Sequence, residues 1–269
     1  MARNANWVPD DVDPGLPSAA RLSDYLLGGG HNFAADRALA EEFLVAQPNG
    51  RAIVRLNRAF LRRAVLHLVD HGIRQFLDLG SGIPTVGSVH EIAHRAAPDA
   101  HVVYVDYEDV AVAHSRMLLE HEPRATVLQE DVTDPHTVLA AARRTGLLDF
   151  TAPVGVLAVG VFHFVPPERD PVGVLEVYRD ALAPGSALAL SQFTWDLQPV
   201  EMAGVVEVMK KSMNPVFPRT HEEITALFAG FEVVPPGVVP PPLWRPEEEI
   251  AGRDDPAQAG IFAGVGHKR

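Results

Sequence analysis

The sequence predicts an α/β fold built on a mostly parallel sheet, and three observations carry that prediction. Between Arg74 and Phe193, short apolar runs alternate with amphipathic stretches of helical length, the pattern of repeated strand–helix–strand units. Runs such as Val102-Val103-Tyr104-Val105 and Val154 to Val159 are apolar on both faces of the pleat, as strands covered by helices on both sides must be. A glycine turn, Gly80-Ser81-Gly82, directly follows the first run, where the chain must swing from strand into helix.

The elements follow in order. Residues 1–20 are polar and proline-rich and read as a loosely held arm. Arg21 to Leu27 forms a short amphipathic turn, broken by Gly28-Gly29-Gly30; three glycines fit either a flexible hinge or a close approach to a ligand. Ala34 to Ala46 is helical, stopped by Pro48, Asn49 and Gly50. The next helix puts Ile53, Leu56, Phe60, Ala64 and Leu68 on one stripe with arginines opposite, and ends at Gly72. Residues 1–72 are therefore expected to be an arm and helices packing on a core formed by residues 73–269.

That core begins with strand Gln75–Asp78. A helix from Val86 to Ala97, with Pro84 at its entrance and Pro98 at its end, leads to strand His101–Val105. A helix from Val110 to Glu120, strand Ala125–Gln129 and a helix from Pro135 to Arg144 continue the alternation. Strand Val154–Val159, a helix from Val172 to Leu182, the Pro184-Gly185 turn and strand Ala187–Phe193 complete the regular part. Two further helices are read at 199–212 and 220–229. Phe231–Val234 and Gly260–Gly266 form a final antiparallel pair, joined through Pro235-Pro236 and Pro240-Pro241-Pro242.

Composition narrows the function. The chain has 269 residues, 47% of them hydrophobic, and a formal net charge of −12. No stretch concentrates Lys and Arg as a phosphate-tracking surface requires, so a nucleic-acid partner is not expected. The absence of cysteine excludes disulfides, thiolate zinc sites, Fe–S clusters and cysteine nucleophiles. Met1 to Asp10 lacks the pattern of a signal peptide, and no apolar stretch approaches roughly 18 residues. A cytoplasmic protein with no membrane partner is the expectation.

In such sheets ligands bind beyond the carboxyl ends of the strands, and the polar residues of interest fall there. The turn at Gly80, Ser81 and Gly82 lets backbone approach a ligand. Asp106, about two dozen residues after Gly82 and at the end of the second strand, can accept from two adjacent ribose hydroxyls. Asp131, after the third strand and followed by Val132, can accept from an exocyclic adenine amine. Each is weak alone, since a Gly-x-Gly is often only a turn and an Asp after a strand is often a helix cap. Together they describe an adenosine pocket.

Asp78 and Thr85 separate the kinds of adenosine ligand. A dinucleotide fingerprint needs Gly or Ala at position 85 and a helix N-terminus for the pyrophosphate. Here Thr85 stands in that place, and the Asp78 carboxylate repels a diphosphate while attracting an ammonium or sulfonium. A nicotinamide oxidoreductase is the disfavoured rival.

His90-Glu91-Ile92-Ala93-His94 spells the zinc-hydrolase signature His-Glu-x-x-His. It lies on the crossover helix behind the glycine turn, and the extended pattern fails because Ala97 and Ala100 occupy its next positions. Surface residues on a crossover helix are the plainer reading. His163, in Gly160-Val-Phe-His-Phe-Val-Pro-Pro167 after the fourth strand, is the candidate catalytic residue, against a loop simply packed by Phe162 and Phe164.

The strand and turn Phe76 to Gly82, with Asp106, Asp131 and Pro184-Gly185, resemble class I S-adenosylmethionine-dependent methyltransferases. More narrowly, Pro17 to Gly30, Asn32-Phe33, Asp36-Arg37, Gly82-Ile-Pro-Thr85, His163-Phe-Val-Pro166 and Leu243-Trp-Arg-Pro246 resemble the mainly actinobacterial "S-adenosyl methyltransferase" family once catalogued as a domain of unknown function. The resemblance spans roughly residues 17–266. It implies a Rossmann-like seven-stranded sheet in the order 3-2-1-4-5-7-6 with an N-terminal helical lid.

It also implies S-adenosylmethionine as cofactor. Gly80 to Gly82 would face the methionine part, Asp106 the ribose, and Asp131 with Val132 the adenine. Tyr25 and Asn32 would lie in the lid, and Tyr107, Asp78, Thr85 and Gly160 complete the expected contacts. The resemblance supplies no methyl acceptor. A small-molecule acceptor is expected, with a non-catalytic S-adenosylmethionine sensor as the alternative; oligomeric state is not readable.

Overall fold

The computed structural model describes Pro9 and residues 12–84, 87–246 and 260–269. Thr85 and most of the N-terminal ten residues lie outside the described residues. Seven strands form one sheet in the order β3-β2-β1-β4-β5-β7-β6. These are β1 (Gln75–Leu79), β2 (His101–Asp106), β3 (Ala125–Gln129), β4 (Gly155–Val159), β5 (Ala187–Phe193), β6 (Glu232–Val233) and β7 (Ile261–His267). The first five are parallel; β7 runs antiparallel between β5 and β6. This is the α/β architecture that the sequence predicts and the strand order that the family resemblance implies.

Strand alternation divides the core into two layers. Leu77, Leu79, Val103, Val105, Val156 and Leu188 face one side, under α6 (Pro135–Arg144), α7 (Pro171–Ala181) and α9 (His221–Ala226). Phe76, Val102, Tyr104, Leu157, Ala187 and Ala189 face the other, under α3 (Gly50–Asp70), α4 (Val89–Ala96) and α5 (Asp109–Leu118). The α3 stripe that the periodicity picks out, Phe60, Ala64 and Leu68, is fully buried; each large apolar side chain so placed contributes about 1.5–3 kcal/mol. Helix α3 is thus a layer of the sandwich. In contrast, α1 (Ala19–Leu26) and α2 (Ala34–Ala46) share a separate apolar cluster with α8 (Pro199–Met209), through Leu22, Leu26, Leu39, Phe43, Met202, Val205 and Met209.

Two local expectations shift. Helix α4 begins at Val89, so Pro84 lies in the preceding loop and not at the helix entrance. The reason is a capping box at Ser88: the Glu91 carboxylate accepts from the N–H groups of Gly87 at 2.8 Å and Ser88 at 3.3 Å. Strand β6 shrinks to two residues, closed in by the prolines that follow Val234.

Candidate functional site

Where β1 ends, the chain reverses through Gly80 (φ 66°) and Gly82 (φ 64°), both in the left-handed region that favours glycine. The N–H groups of Gly80 and Ser81 donate to the Val105 carbonyl at 2.8 and 3.1 Å, tying the turn to the next strand. A Cβ on Gly80 would stand 2.2 Å from Val161 Cγ2, whereas one on Gly82 would meet nothing within 4 Å. Gly80 is therefore required by packing, and Gly82 leaves backbone bare beside open space.

Asp106 closes β2 and faces this turn. Its Oδ2 accepts from Gly82 N–H at 2.7 Å and its Oδ1 from Glu108 N–H at 3.0 Å. Each oxygen keeps a further lone pair, enough for a pair of vicinal hydroxyls. Burial pushes this carboxyl above its ordinary range, and the backbone donors oppose that shift. Beneath the turn, burial pushes Asp78 up to about 7; the Arg58 guanidinium pulls it down and Asp106 adds to the rise.

One cavity opens beside this turn, and Asp78 is not among its lining residues. Gly80, Ser81, Asp106, Tyr107, Val132, Gly160 and His163 all line it. The rest of its lining is mainly apolar and includes Leu61, Phe164, Phe193, Met209 and Val216. The buried Ser81 Oγ, Asn57 Oδ1 and His163 Nδ1 have no hydrogen-bond partner. Polar atoms left unsatisfied on a cavity wall are what a polar ligand would complete. With the Gly80 and Ser81 turn on its wall and the acceptor capacity of Asp106, the residues present fit an adenosyl group; Gly82 is not among the lining residues, its N–H being taken by Asp106.

His163 sits in a short 3-10 turn, Phe162–Phe164, with its ring stacked on Phe193 at 4.1 Å between centroids. Burial, and then the Arg219 guanidinium, lower it to about 3, so it is neutral at physiological pH. Arg219, itself buried, fixes the turn by donating to the carbonyls of Phe162 at 2.8 Å and Val165 at 2.7 Å. The His163 ring is packed against its neighbours and also lines the cavity.

Other expected contacts are placed differently. Tyr25 is not among the lining residues; its hydroxyl donates to Glu41 at 2.8 Å and its ring carries the Arg51 guanidinium at 5.0 Å. Asn32 acts one step back: its Nδ2 donates to Asp24 Oδ2 at 2.8 Å, and Asp24 lines the cavity. Gly29 N–H donates to the Asp24 carbonyl at 2.8 Å, and a Cβ there would fall 1.9 Å from Asp24 Oδ1. Close approach to Asp24, and not a ligand, therefore accounts for that glycine. Asp131 is half exposed and outside the lining; its carboxylate accepts from Thr133 N–H at 2.8 Å and faces Arg169 at 3.3 Å.

The residues missed from sequence are Asn57 and Arg58 on α3, Asp24 on α1, and Phe193 and Asn214, whose amide bonds the Tyr107 hydroxyl. Asn57 stands four residues from both Ile53 and Leu61, so a polar side chain within the apolar stripe was the available signal; Arg58 lies towards the arginine flank, where no local signal separates a site from solvent.

The His-Glu-x-x-His segment is occupied locally. His90 Nδ1 lies 2.8 Å from the Tyr104 hydroxyl, His94 Nε2 2.9 Å from the Ala100 carbonyl, and Glu91 caps its own helix.

One exchange ties the N-terminal helices to this site. Arg21, 1% exposed, donates from Nε to Asp36 at 2.9 Å and from Nη1 to Glu108 at 2.6 Å. Glu108 follows Asp106 and Tyr107 directly, so a buried guanidinium clamps α1 and α2 onto the strand end that carries Asp106.

The sequence pattern of a family described as S-adenosyl methyltransferase matches residues 5–269. A candidate methyltransferase of Thermobifida fusca is 38% identical, with 98% of this chain and 100% of that one covered, at a TM-score of 0.93. A DUF574 family protein of Streptomyces avermitilis is 35% identical, with 96% and 99% covered, at 0.91. The 1,6-didemethyltoxoflavin-N1-methyltransferase of Burkholderia thailandensis shares the fold at 20% identity, with 86% and 88% covered and a TM-score of 0.50. No curated protein matches the chain.

Proposed function

Given that the chain belongs to the S-adenosyl methyltransferase family and is an S-adenosylmethionine-dependent methyltransferase, we propose that its acceptor is a small, largely apolar molecule presenting one hydroxyl or amine. The observation that carries this reading is the mainly apolar lining of the cavity, with Leu61, Phe164, Phe193, Met209 and Val216 sharing its wall with the polar residues Asn57 and His163. A pocket of that make-up takes an apolar body and orients it through a few polar groups. The net charge of −12 argues against a polyanionic acceptor.

When bound, S-adenosylmethionine supplies an electrophilic methyl group on a sulfonium. The chain's own residues hold and exclude. Asp106 would accept from the ribose hydroxyls, the backbone of Gly80 to Gly82 would border the methionine part, and Val132 with Tyr107 would border the adenine. Asp78 and Asp106 place negative potential under a cationic ligand. Helix α1, clamped by Arg21, serves as the lid that keeps water from the cavity. Holding acceptor and donor in line can supply about 7–11 kcal/mol of the barrier. His163, neutral and with Nδ1 unengaged, would accept a hydrogen bond from an acceptor hydroxyl and orient its oxygen towards the methyl group, the hydroxyl proton passing to solvent as the oxygen–carbon bond forms; an amine acceptor needs no such partner.

Calorimetry with S-adenosylmethionine tests the cofactor side. Asp106→Ala removes two charge-assisted hydrogen bonds of about 1.5–3 kcal/mol each, so affinity should fall at least 100-fold; unchanged affinity overturns the assignment. For the acceptor, release of S-adenosylhomocysteine is followed with panels of phenols and amines, a mixed RNA and an unfolded protein. Turnover with a small phenol or amine is expected, and turnover confined to a macromolecule refutes the reading.

A further inference from the structure

At the opposite edge of the sheet, where the parallel strands begin, three histidines converge that the methyltransferase reading does not use. His67 lies in the last turn of α3 and His71, four residues on, caps the C-terminus of that helix, its N–H donating to the His67 carbonyl. His267 ends β7, opposite Ala187 of β5 and Glu232 of β6. Each offers one ring nitrogen, and the three atoms lie within 4.8 Å of one another. The ring centroids are 4.0, 5.6 and 5.3 Å apart. We infer that His67, His71 and His267 form a binding site for a divalent transition-metal ion of the zinc type, open to solvent on the fourth side.

The geometry supports this in three ways. The Nε2 atoms of His67 and His267 are 3.4 Å apart; two imidazoles on a tetrahedral ion at about 2.0–2.1 Å stand roughly 3.3–3.4 Å apart. His71 Nδ1 lies 2.7 Å from the His67 carbonyl, so it donates there and leaves Nε2 as a bare acceptor turned by a backbone partner, the arrangement that orients metal-bound histidines. His67 is buried, His267 half-buried and His71 exposed, which gives a seated ligand, a path of entry and a position for water. All-imidazole nitrogen ligation suits zinc, nickel and copper, and not calcium or magnesium.

One group opposes the ion. Arg245 Nη1 donates to His67 Nδ1 at 2.7 Å, so the proton of His67 sits on Nε2 and points at His267. Metal binding moves that proton to Nδ1 and turns the exposed Arg245 side chain aside. The Glu232 carboxylate, at the same edge, is paired with Arg269 at 2.7 Å. An ion here would join the end of β7 to α3 across 200 residues of chain, a closure that resists opening of the sheet edge.

The test uses the untagged full chain, stripped of metal by chelator and titrated with zinc chloride, read by calorimetry and by thermal unfolding. One zinc per chain and a raised unfolding midpoint are expected. His71→Ala, at an exposed position that spares the fold, and His267→Ala should each weaken binding at least ~100-fold, beyond the 10–100-fold seen when only an orienting partner is lost. Arg245→Gln should tighten it. Absence of stoichiometric binding, or binding unaffected by His71→Ala, overturns the inference. A double variant of His90 and His94 should bind as the parent does; loss of zinc there would place the metal on α4 and refute this site.

Discussion

Replacing Arg21 by methionine probes the clamp between the N-terminal helices and the cofactor edge. The guanidinium is 1% exposed and serves both Asp36, fully buried, and Glu108, 8% exposed. Methionine keeps much of the stem's volume and removes the charge, stranding two carboxylates. Breaking one side of a buried pair costs about 3–5 kcal/mol. The lower end applies here, because both anions share one cation and both retain backbone donors. Asp36 accepts from Ser18 and Phe33 N–H groups at 3.0 and 2.8 Å, and Glu108 from Ala111 N–H at 2.8 Å.

About 3 kcal/mol multiplies a local opening equilibrium by roughly 100. That opening is expected in α1 and α2, whose apolar contacts with α8 are separate from the sheet core. Hydrogen exchange should show faster exchange over residues 19–46, and S-adenosylmethionine affinity should fall. The pH dependence has a sign. Burial already holds Glu108 above its ordinary range and Arg21 works against that shift. Without Arg21 the carboxyl titrates higher still, so the folded variant binds the extra proton and is relieved at low pH. The deficit should therefore be smaller at pH 5 than at pH 8. Arg21→Lys should recover only part, since an ammonium cannot fork between two carboxylates. Unchanged exchange and affinity in Arg21→Met at pH 8 would refute the clamp.

Two further outcomes follow from the site. Gly80→Ala combines a left-handed φ with a Cβ 2.2 Å from Val161 and should cost about 2–4 kcal/mol in urea unfolding, while Gly82→Ala, with open space at its Cβ, should cost about 1 kcal/mol; equal costs would contradict the packing account. Asp78, raised from 3.8 to about 7 chiefly by burial, keeps its proton longer in the folded chain, so the unliganded protein should lose stability as pH rises from about 4 to about 7. A cationic ligand favours the carboxylate, so affinity for S-adenosylmethionine should rise up to about tenfold between pH 6 and 8 and level off above. Asp78→Asn should flatten both profiles, and calorimetry at pH 6 and 8 showing no difference in the parent would sink the coupling.

What the sequence determined by itself is what depends on neighbours a few residues apart. Strand and helix rhythm, the two-sided burial of β2 and β4, and the glycine reversal after β1 are local properties, and the strand ends place Asp106 with them. Resemblance of the stretch from Pro17 to Arg37 implied the strand order that the sheet has. Boundaries failed where a side chain overrode the rhythm, as Glu91 does in capping α4 at Ser88.

Tertiary structure alone decided which polar side chains meet. Arg58 looks like any residue on the wet flank of a helix until α3 is laid over the sheet and the residue lines the cavity; Asn57, a polar residue in the apolar stripe, carried a signal but not the identity of what it would meet. Asp131, at a strand end like Asp106, turns out to Thr133 and Arg169. The reach of Arg21 to Glu108, of Arg219 to Phe162 and of His67 to His267 spans 87, 57 and 200 residues. Such pairs carry no periodic signal, because their spacing along the chain is set by the packing of layers and not by the repeat of any one element.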